Sequence, residues 1–169
     1  MNHADLVALL RVGVGVKGGH WADLGAGEGA FTVVLAELLG PQAHIVAVDR
    51  DPTALREIGG GIETRVADFT KPLDFKDLDG VVMANSLHFV RDKVPVLRAV
   101  GQMLKPDGRL IMIEYGSDRG NPWVPYPMSY RTWERIAAEA GFAGTVLLHT
   151  VPSRHLGSIY SSVTKRPAT

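Results

Sequence analysis

The chain has 169 residues, 46% hydrophobic and 21% charged, the profile of one soluble globular domain spanning 1–169. Its 18 Lys and Arg balance 18 Asp and Glu, which argues against a broad nucleic-acid footprint. The lack of cysteine excludes disulfides, thiol catalysis and cysteine-ligated metal, and no apolar run approaches the ~18 residues of a membrane span. MNHADLVALL has no basic n-region, so no signal peptide is expected and the cytoplasm is the default location.

Residues 4–16 carry leucines and valines at helical spacing and predict a helix. GGHWADLG then turns the chain into a short apolar strand ending near Leu24. Residues 28–39 read as a helix with Phe31, Val34, Leu35, Leu38 and Leu39 on one stripe, stopped by Gly40-Pro41. AHIVAVD (43–49) is a β-branched strand, and Asp51-Pro52 is a cap and first-turn proline for a short helix. IETRVADF (62–69) is another strand. Residues 70–78 scarcely leave room for a helix before GVVMAN (80–85), whose unbroken apolar run suits a parallel strand buried on both faces.

Residues 92–104 are amphipathic, KPDG (105–108) predicts a turn, and RLIMIEY (109–115) a buried strand. Residues 116–128 form an irregular loop rich in proline and aromatics. Ser129 caps a helix that Gly141 ends. Two last strands, about 143–151 and 156–165, follow without an intervening helix and should be antiparallel neighbours. The alternation predicts an α/β fold: a Rossmann-like, doubly wound, mostly parallel sheet with a C-terminal antiparallel strand.

Ligands of such sheets sit beyond the strands' carboxyl ends. Those ends carry Asp23, Asp49, Asp68-Phe69, Asn85-Ser86-Leu87-His88 and Glu114-Tyr115. The stretch DLGAGEGAF (23–31) packs Gly25, Gly27 and Gly29 into a loop of the kind that cradles phosphates. Two carboxylates, Asp23 and Glu28, work against a phosphate there, and the spacing is G-x-G-x-G rather than the dinucleotide G-x-G-x-x-G. Asp49 stands where a nucleotide site needs an acid for ribose hydroxyls. The combination favours a cationic nucleoside without phosphate, and S-adenosylmethionine has that chemistry.

DLGAGEGAF resembles the first motif of class I S-adenosylmethionine-dependent methyltransferases. VAVDRD resembles that family's second-strand motif, VADF its adenine-side motif, and LKPDGRL the turn before its fifth strand. The resemblance covers roughly residues 18–166 and implies strand order 3-2-1-4-5-7-6, with S-adenosylmethionine as cofactor. It implies that Asp23 and the backbone of Gly25, Ala26 and Gly27 contact the methionine moiety. Asp49 would hold the ribose diol and Arg50 lie along the adenosine. Asp68 would accept from the adenine amino group, Phe69 cover the ring, and the Asn85 backbone receive the ammonium. Gly29 reads as a close-packing glycine and Glu28 as serving the helix start.

The implied reaction is in-line displacement of the methyl group onto a small-molecule acceptor. His88 is the first candidate for a general base, with Glu114 and Tyr115 behind it. NSLH replaces the Asn/Asp-Pro-Pro-Tyr of nucleic-acid amino-methylating relatives, so no nucleic-acid acceptor is expected. No metal-ligand spacing is present. Trp123, Tyr126 and Tyr130 are candidates for lining an acceptor pocket, covered by NPWVPYP and the N-terminal helix. The short cover leaves open a macromolecular acceptor, or a homodimer whose partner supplies the lid. Two competing readings are a small NAD-dependent oxidoreductase and a non-catalytic S-adenosylmethionine-binding module.

Overall fold

A computed structural model describes residues 1–168. The elements run α1 (His3–Val14), β1 (His20–Leu24), α2 (Ala30–Leu39), β2 (His44–Asp49), α3 (Pro52–Leu55), β3 (Glu63–Val66) and β4 (Leu78–Ala84). A 3-10 turn (Leu87–Phe89), α4 (Lys93–Met103), β5 (Leu104–Tyr115), α5 (Tyr130–Glu139), β6 (Ala143–Ser153) and β7 (Gly157–Lys165) complete the chain. The seven strands lie in the order β3-β2-β1-β4-β5-β7-β6. The first five pair in parallel, and β7 runs antiparallel to both β5 and β6. The mostly parallel sheet with its antiparallel closing pair is what the alternating pattern predicts, and the strand order is the one the family resemblance implies.

The sheet divides two cores by the two-residue period of its strands. Ala22, Leu24, Val81, Met83, Leu110 and Met112 face α4 and α5, where they meet Leu97, Val100 and Trp133. Trp21, Val82, Ile111 and Ile113 face α1 and α2, where Leu9, Leu10 and Leu35 are fully buried. Each such leucine contributes about 1.5–3 kcal/mol by leaving water. The buried Trp133 satisfies its indole N–H on Ser162 Oγ at 3.1 Å, so its large apolar area carries no unpaired donor.

Local rules account for most boundaries. Asn2 caps α1 reciprocally with Asp5, which starts that helix at His3. Asp51 accepts from Thr53 N ahead of Pro52, and Ser129 accepts from Thr132 N.

Four local expectations are corrected. α2 begins at Ala30 with Gly29 as its cap, so Glu28 lies outside the helix, exposed, and gives no side-chain cap. Gly29 makes its close approach not to a strand but to Ile58: a Cβ there would stand 2.5 Å from Ile58 Cγ1. KPDG does not separate two elements. It is looped out within β5, where the register against β4 jumps from Leu78↔Leu104 to Gly80↔Arg109 and Asp107 takes a φ of 62°. β3 is shorter than residues 62–69, so Asp68 and Phe69 sit on the loop beyond it, free to turn towards the neighbouring strand ends.

Candidate active site

β1 delivers Asp23 and the glycine loop to the carboxyl edge of the sheet, and β2 delivers Asp49 beside them. Gly25 N and Ala26 N both donate to Val48 O, at 2.8 and 2.9 Å, which folds the loop back over β2. Asp49 locks the loop from the other side: its Oδ2 accepts from Gly27 N at 2.8 Å and its Oδ1 from Asp51 N at 2.9 Å. Each carboxylate oxygen keeps a further lone pair for a ligand hydroxyl. Gly25 has a φ of 79°, and a Cβ there would lie 2.4 Å from Ser86 Cβ, so only glycine fits this approach of the first and fourth strand ends. Ser86, in turn, donates to Leu24 O at 2.9 Å.

Above these groups lies a cavity of about 490 Å³. Gly25, Gly27, Asp49, Arg50, Asp68, Phe69 and Asn85 line it together, so most of the nucleoside set is gathered in one place. Asp68 is held by Thr70, whose N–H and hydroxyl both donate to Oδ1 at 2.9 and 2.7 Å. These donors keep its pKa below the ordinary carboxylate value. Its second oxygen is left for a ligand.

Asp23 sits elsewhere. Its side chain turns under α2, 1% exposed, and its Oδ2 accepts from Thr32 Oγ1 at 2.6 Å. It is not part of the cavity lining. Burial pushes its pKa up to about 6, against the Thr32 hydrogen bond, and Asp49's charge adds to the rise. Among the described residues its Oδ1 has no hydrogen-bond partner, and neither has the buried Oδ1 of Asn85. Asn85 holds a left-handed φ of 52°, an uncommon backbone state for a non-glycine residue.

A second cavity of about 500 Å³ adjoins the first, and the two share Asn85 and Phe89. His88, Tyr115, Asn121, Trp123, Val124 and His155 supply its other walls. His88 is buried and its Nδ1 lies 2.8 Å from Glu114 Oε1, while its backbone N–H donates to Glu114 Oε2 at 3.2 Å. Tyr115 N donates to the same carboxylate at 2.8 Å. With Nδ1–H given to a carboxylate, the neutral imidazole keeps its lone pair on Nε2, which has no hydrogen-bond partner among the described residues. Aromatic rings flank it: Phe89 at 4.3 Å and Tyr115 at 5.7 Å between centroids. Burial and the Glu114 charge raise the Tyr115 pKa.

Of the aromatic candidates, Trp123 stands at the rim of this cavity, 78% exposed. Tyr126 and Tyr130 are outside its lining. Tyr126 lies over Lys93 Nζ at 5.9 Å, and Tyr130 packs edge-on to Tyr160 with its hydroxyl on Glu134 at 3.1 Å. α1 contributes nothing to either cavity, because its apolar face is spent on α2 and the sheet. The cover is the 116–128 loop with His155 from the β6–β7 turn. Sequence reasoning placed Asn121 and Val124 in the covering stretch NPWVPYP without singling them out, and passed over Phe89 and His155. Asn121-Pro122 carried a turn signal, and Asn121 Oδ1 does accept from Trp123 N and Val124 N at 3.0 and 2.8 Å. His155 had no signal.

The residues fit S-adenosylmethionine on observations of this structure. The first cavity is lined by Asp49, Asp51 and Asp68 against one cation, Arg50, which suits a cationic guest. Two buried oxygens nearby lack donors. Gly27 opens to empty space where a ligand can approach the backbone. Among the described residues no cluster of His, Asp and Glu could hold a metal ion, and no helix is long and apolar enough to cross a membrane.

Comparison with known proteins agrees. A family model described as a methyltransferase domain matches residues 22–110, more than half the chain. A ubiquinone/menaquinone biosynthesis C-methyltransferase of Pasteurella multocida (strain Pm70) is 32% identical over 113 residues, 60% of this chain and 42% of that protein. The same-named protein of Ectopseudomonas mendocina (strain ymp) is 32% identical over 119 residues, 64% of this chain and 46% of its own length. The chain thus spans less than half the length of these relatives. In structure it is similar to the Burkholderia thailandensis 1,6-didemethyltoxoflavin-N1-methyltransferase, solved with bound 1,6-didemethyltoxoflavin and S-adenosylhomocysteine. The TM-score is 0.74 at 19% identity, covering 98% of this chain and 78% of that one. It is also similar to the CurJ carbon methyltransferase, with a TM-score of 0.75 at 20% identity over 90% of this chain and 50% of that one. The family match, the strand order and the acid-lined glycine loop converge: the chain belongs to the methyltransferase-domain family, with the class I S-adenosylmethionine-dependent architecture.

Proposed function

We propose that this domain transfers a methyl group from S-adenosylmethionine to a small-molecule acceptor held in the second cavity. The observation that carries the proposal is the pair of adjoining cavities, one acid-lined and one aromatic, with Asn85 and Phe89 common to both.

S-adenosylmethionine supplies an electrophilic methyl on a sulfonium sulfur. Asp49 accepts from the ribose hydroxyls with lone pairs left over from its backbone bonds. Asp68 accepts from the adenine amino group through the oxygen Thr70 does not use, and Phe69 covers the base. The Asn85 carbonyl receives the ammonium, while Asp23 lends negative charge from beneath the loop. His88 Nε2 takes the proton of an acceptor hydroxyl, and Glu114 holds the ring in the required tautomer and offsets the imidazolium charge. Glu114, fully buried, is therefore a positioning residue rather than a base. Phe89, Tyr115 and Trp123 offer flat apolar surfaces, which suits an aromatic acceptor. The relatives named for quinone biosynthesis make hydroquinones a reasonable class to try first.

Isothermal titration with S-adenosylhomocysteine and with NAD⁺ tests the cofactor. The expected result is binding of the former alone, and the reverse would overturn the reading in favour of an oxidoreductase. A panel of hydroquinones, phenols, amines and thiols with radiolabelled methyl donor then tests transfer. Binding without transfer to any member would favour a non-catalytic module.

A further inference from the structure

We propose that Lys93 is a positioning residue for the acceptor cavity: its buried ammonium latches the 116–128 loop onto the 3-10 turn that carries His88. The purpose assigned to the latch rests on the methyl-transfer reading; the latch itself rests on hydrogen bonds.

Lys93 is 6% exposed. Its Nζ donates to Val90 O at 2.6 Å and to Tyr126 O at 2.7 Å. Among the described residues no carboxylate comes within ion-pair distance of it. Burial lowers its pKa, with Glu114's more distant charge working the other way. Two costs attach to this placement. An ammonium without a paired anion is expensive to bury. Lys93 is also the first residue of α4, where the helix dipole and free N–H groups disfavour a cation. A methionine or leucine would bury at this position without either cost. What the lysine adds is donors that reach two backbone carbonyls from different segments.

Those carbonyls are well chosen. Val90 ends the 3-10 turn (Leu87–Phe89), and Tyr126 belongs to the loop. Tyr126 N also donates to His88 O at 2.9 Å, so the loop is tied to the His88 turn at both ends of one residue. The Tyr126 ring covers the ammonium at 5.9 Å, which accounts for an aromatic side chain that lines neither cavity. The tip of the loop is braced internally by Asn121, whose Oδ1 and N–H bond Trp123 and Val124. The braced tip supplies Asn121, Trp123 and Val124 to the cavity wall. Lys93 thus holds one wall of the acceptor cavity in register with His88, which sits on another.

Hydrogen–deuterium exchange of the full chain and of Lys93→Met and Lys93→Arg tests this. In Lys93→Met, the amides of Asn121, Trp123, Val124, Tyr126 and Met128 should exchange at least about tenfold faster, while those of β4 and β5 stay unchanged, as for a local opening. Lys93→Arg, which keeps a multi-donor cation, should return exchange to within about threefold of the parent. S-adenosylhomocysteine affinity should be the same in all three, because Lys93 lines neither cavity. Unchanged loop exchange in Lys93→Met, acceleration spread equally over β4 and β5, or no recovery in Lys93→Arg would each overturn the proposal. If Lys93→Met does not fold, Lys93→Gln replaces it, since one short amide cannot reach both carbonyls. Failure of the parent to bind S-adenosylhomocysteine would count against the methyl-transfer reading alone, leaving the latch result standing.

Discussion

Replacing Asp23 with asparagine isolates the cost of burying one carboxylate under the cofactor loop. Burial raises its pKa from 3.8 to about 6 in the folded protein. A raised folded-state pKa means that the folded chain holds the proton more tightly than the unfolded chain. The contribution of Asp23 to stability is therefore intact below about pH 4 and is lost as pH rises to about 6. A rise of roughly two units, at about 1.4 kcal/mol per unit, makes the loss about 3 kcal/mol. Asparagine cannot ionise, so Asp23→Asn escapes the loss whatever its own constant cost from an unpaired amide. Thermal melts of both proteins between pH 3.5 and 8, without cofactor, should show the gap moving in the variant's favour. For a chain of this size the movement should be about 6–12 °C, nearly complete by pH 7. Other titrating groups, including the stabilised Asp68 and Asp118, are common to both proteins and cancel in the difference. A gap that stays constant with pH would refute the reasoning: it would mean that Asp23 is hydrated in solution and that its unpartnered Oδ1 is not buried. The same variant should bind S-adenosylhomocysteine more weakly.

Asp49→Ala removes the acceptor for the ribose hydroxyls and frees the N–H groups of Gly27 and Asp51. Titration calorimetry should show S-adenosylhomocysteine affinity falling about ten- to a hundredfold, the loss of hydrogen bonds to a charged group. Gly25→Ala combines a left-handed backbone with a contact 2.4 Å from Ser86 Cβ. Urea unfolding should give a destabilisation of about 2–4 kcal/mol from strain and overpacking, with cofactor binding lost as well. His88→Ala should lower kcat for hydroxyl acceptors about 10²–10⁴-fold with cofactor affinity unchanged, and should spare acceptors that need no deprotonation. Equal losses for all acceptors would remove His88 from the base role.

Much of the fold was legible because strand burial and helix periodicity are local signals. Uninterrupted runs such as GVVMAN and RLIMIEY announce strands covered on both faces, and the closing pair of strands without a helix announces one reversed strand, which is β7. The lining of the first cavity was legible for the same reason. It is built from residues at strand ends, and strand ends follow from the pattern. Asp49, Asp68, Phe69 and Asn85 meet around one cavity because parallel strands deliver their carboxyl ends to one edge.

The lining of the second cavity was not legible to the same degree. Tyr130 looked like a pocket residue by type and position, yet the turn of α5 aims it at Tyr160. His155 reaches Tyr115 only because β6 and β7 pair, bringing residues 40 apart in sequence to 6.5 Å between rings. Glu28 met the compositional rule for a helix start and missed the helix by two residues.

The amino-acid sequence by itself determined the mostly parallel sheet, the glycine loop and the acid set, because each depends on periodicity, steric permission at a turn, or residue type at a strand end; the strand order came only from the family resemblance. Only the tertiary structure decided which carboxylate is buried and which line the first cavity. It also decided that His88 Nδ1 lies within hydrogen-bond distance of Glu114, and that Lys93 Nζ reaches the carbonyls of Val90 and Tyr126. Those outcomes depend on long-range hydrogen bonds, several of them to backbone carbonyls, and a backbone carbonyl is the same group at every residue.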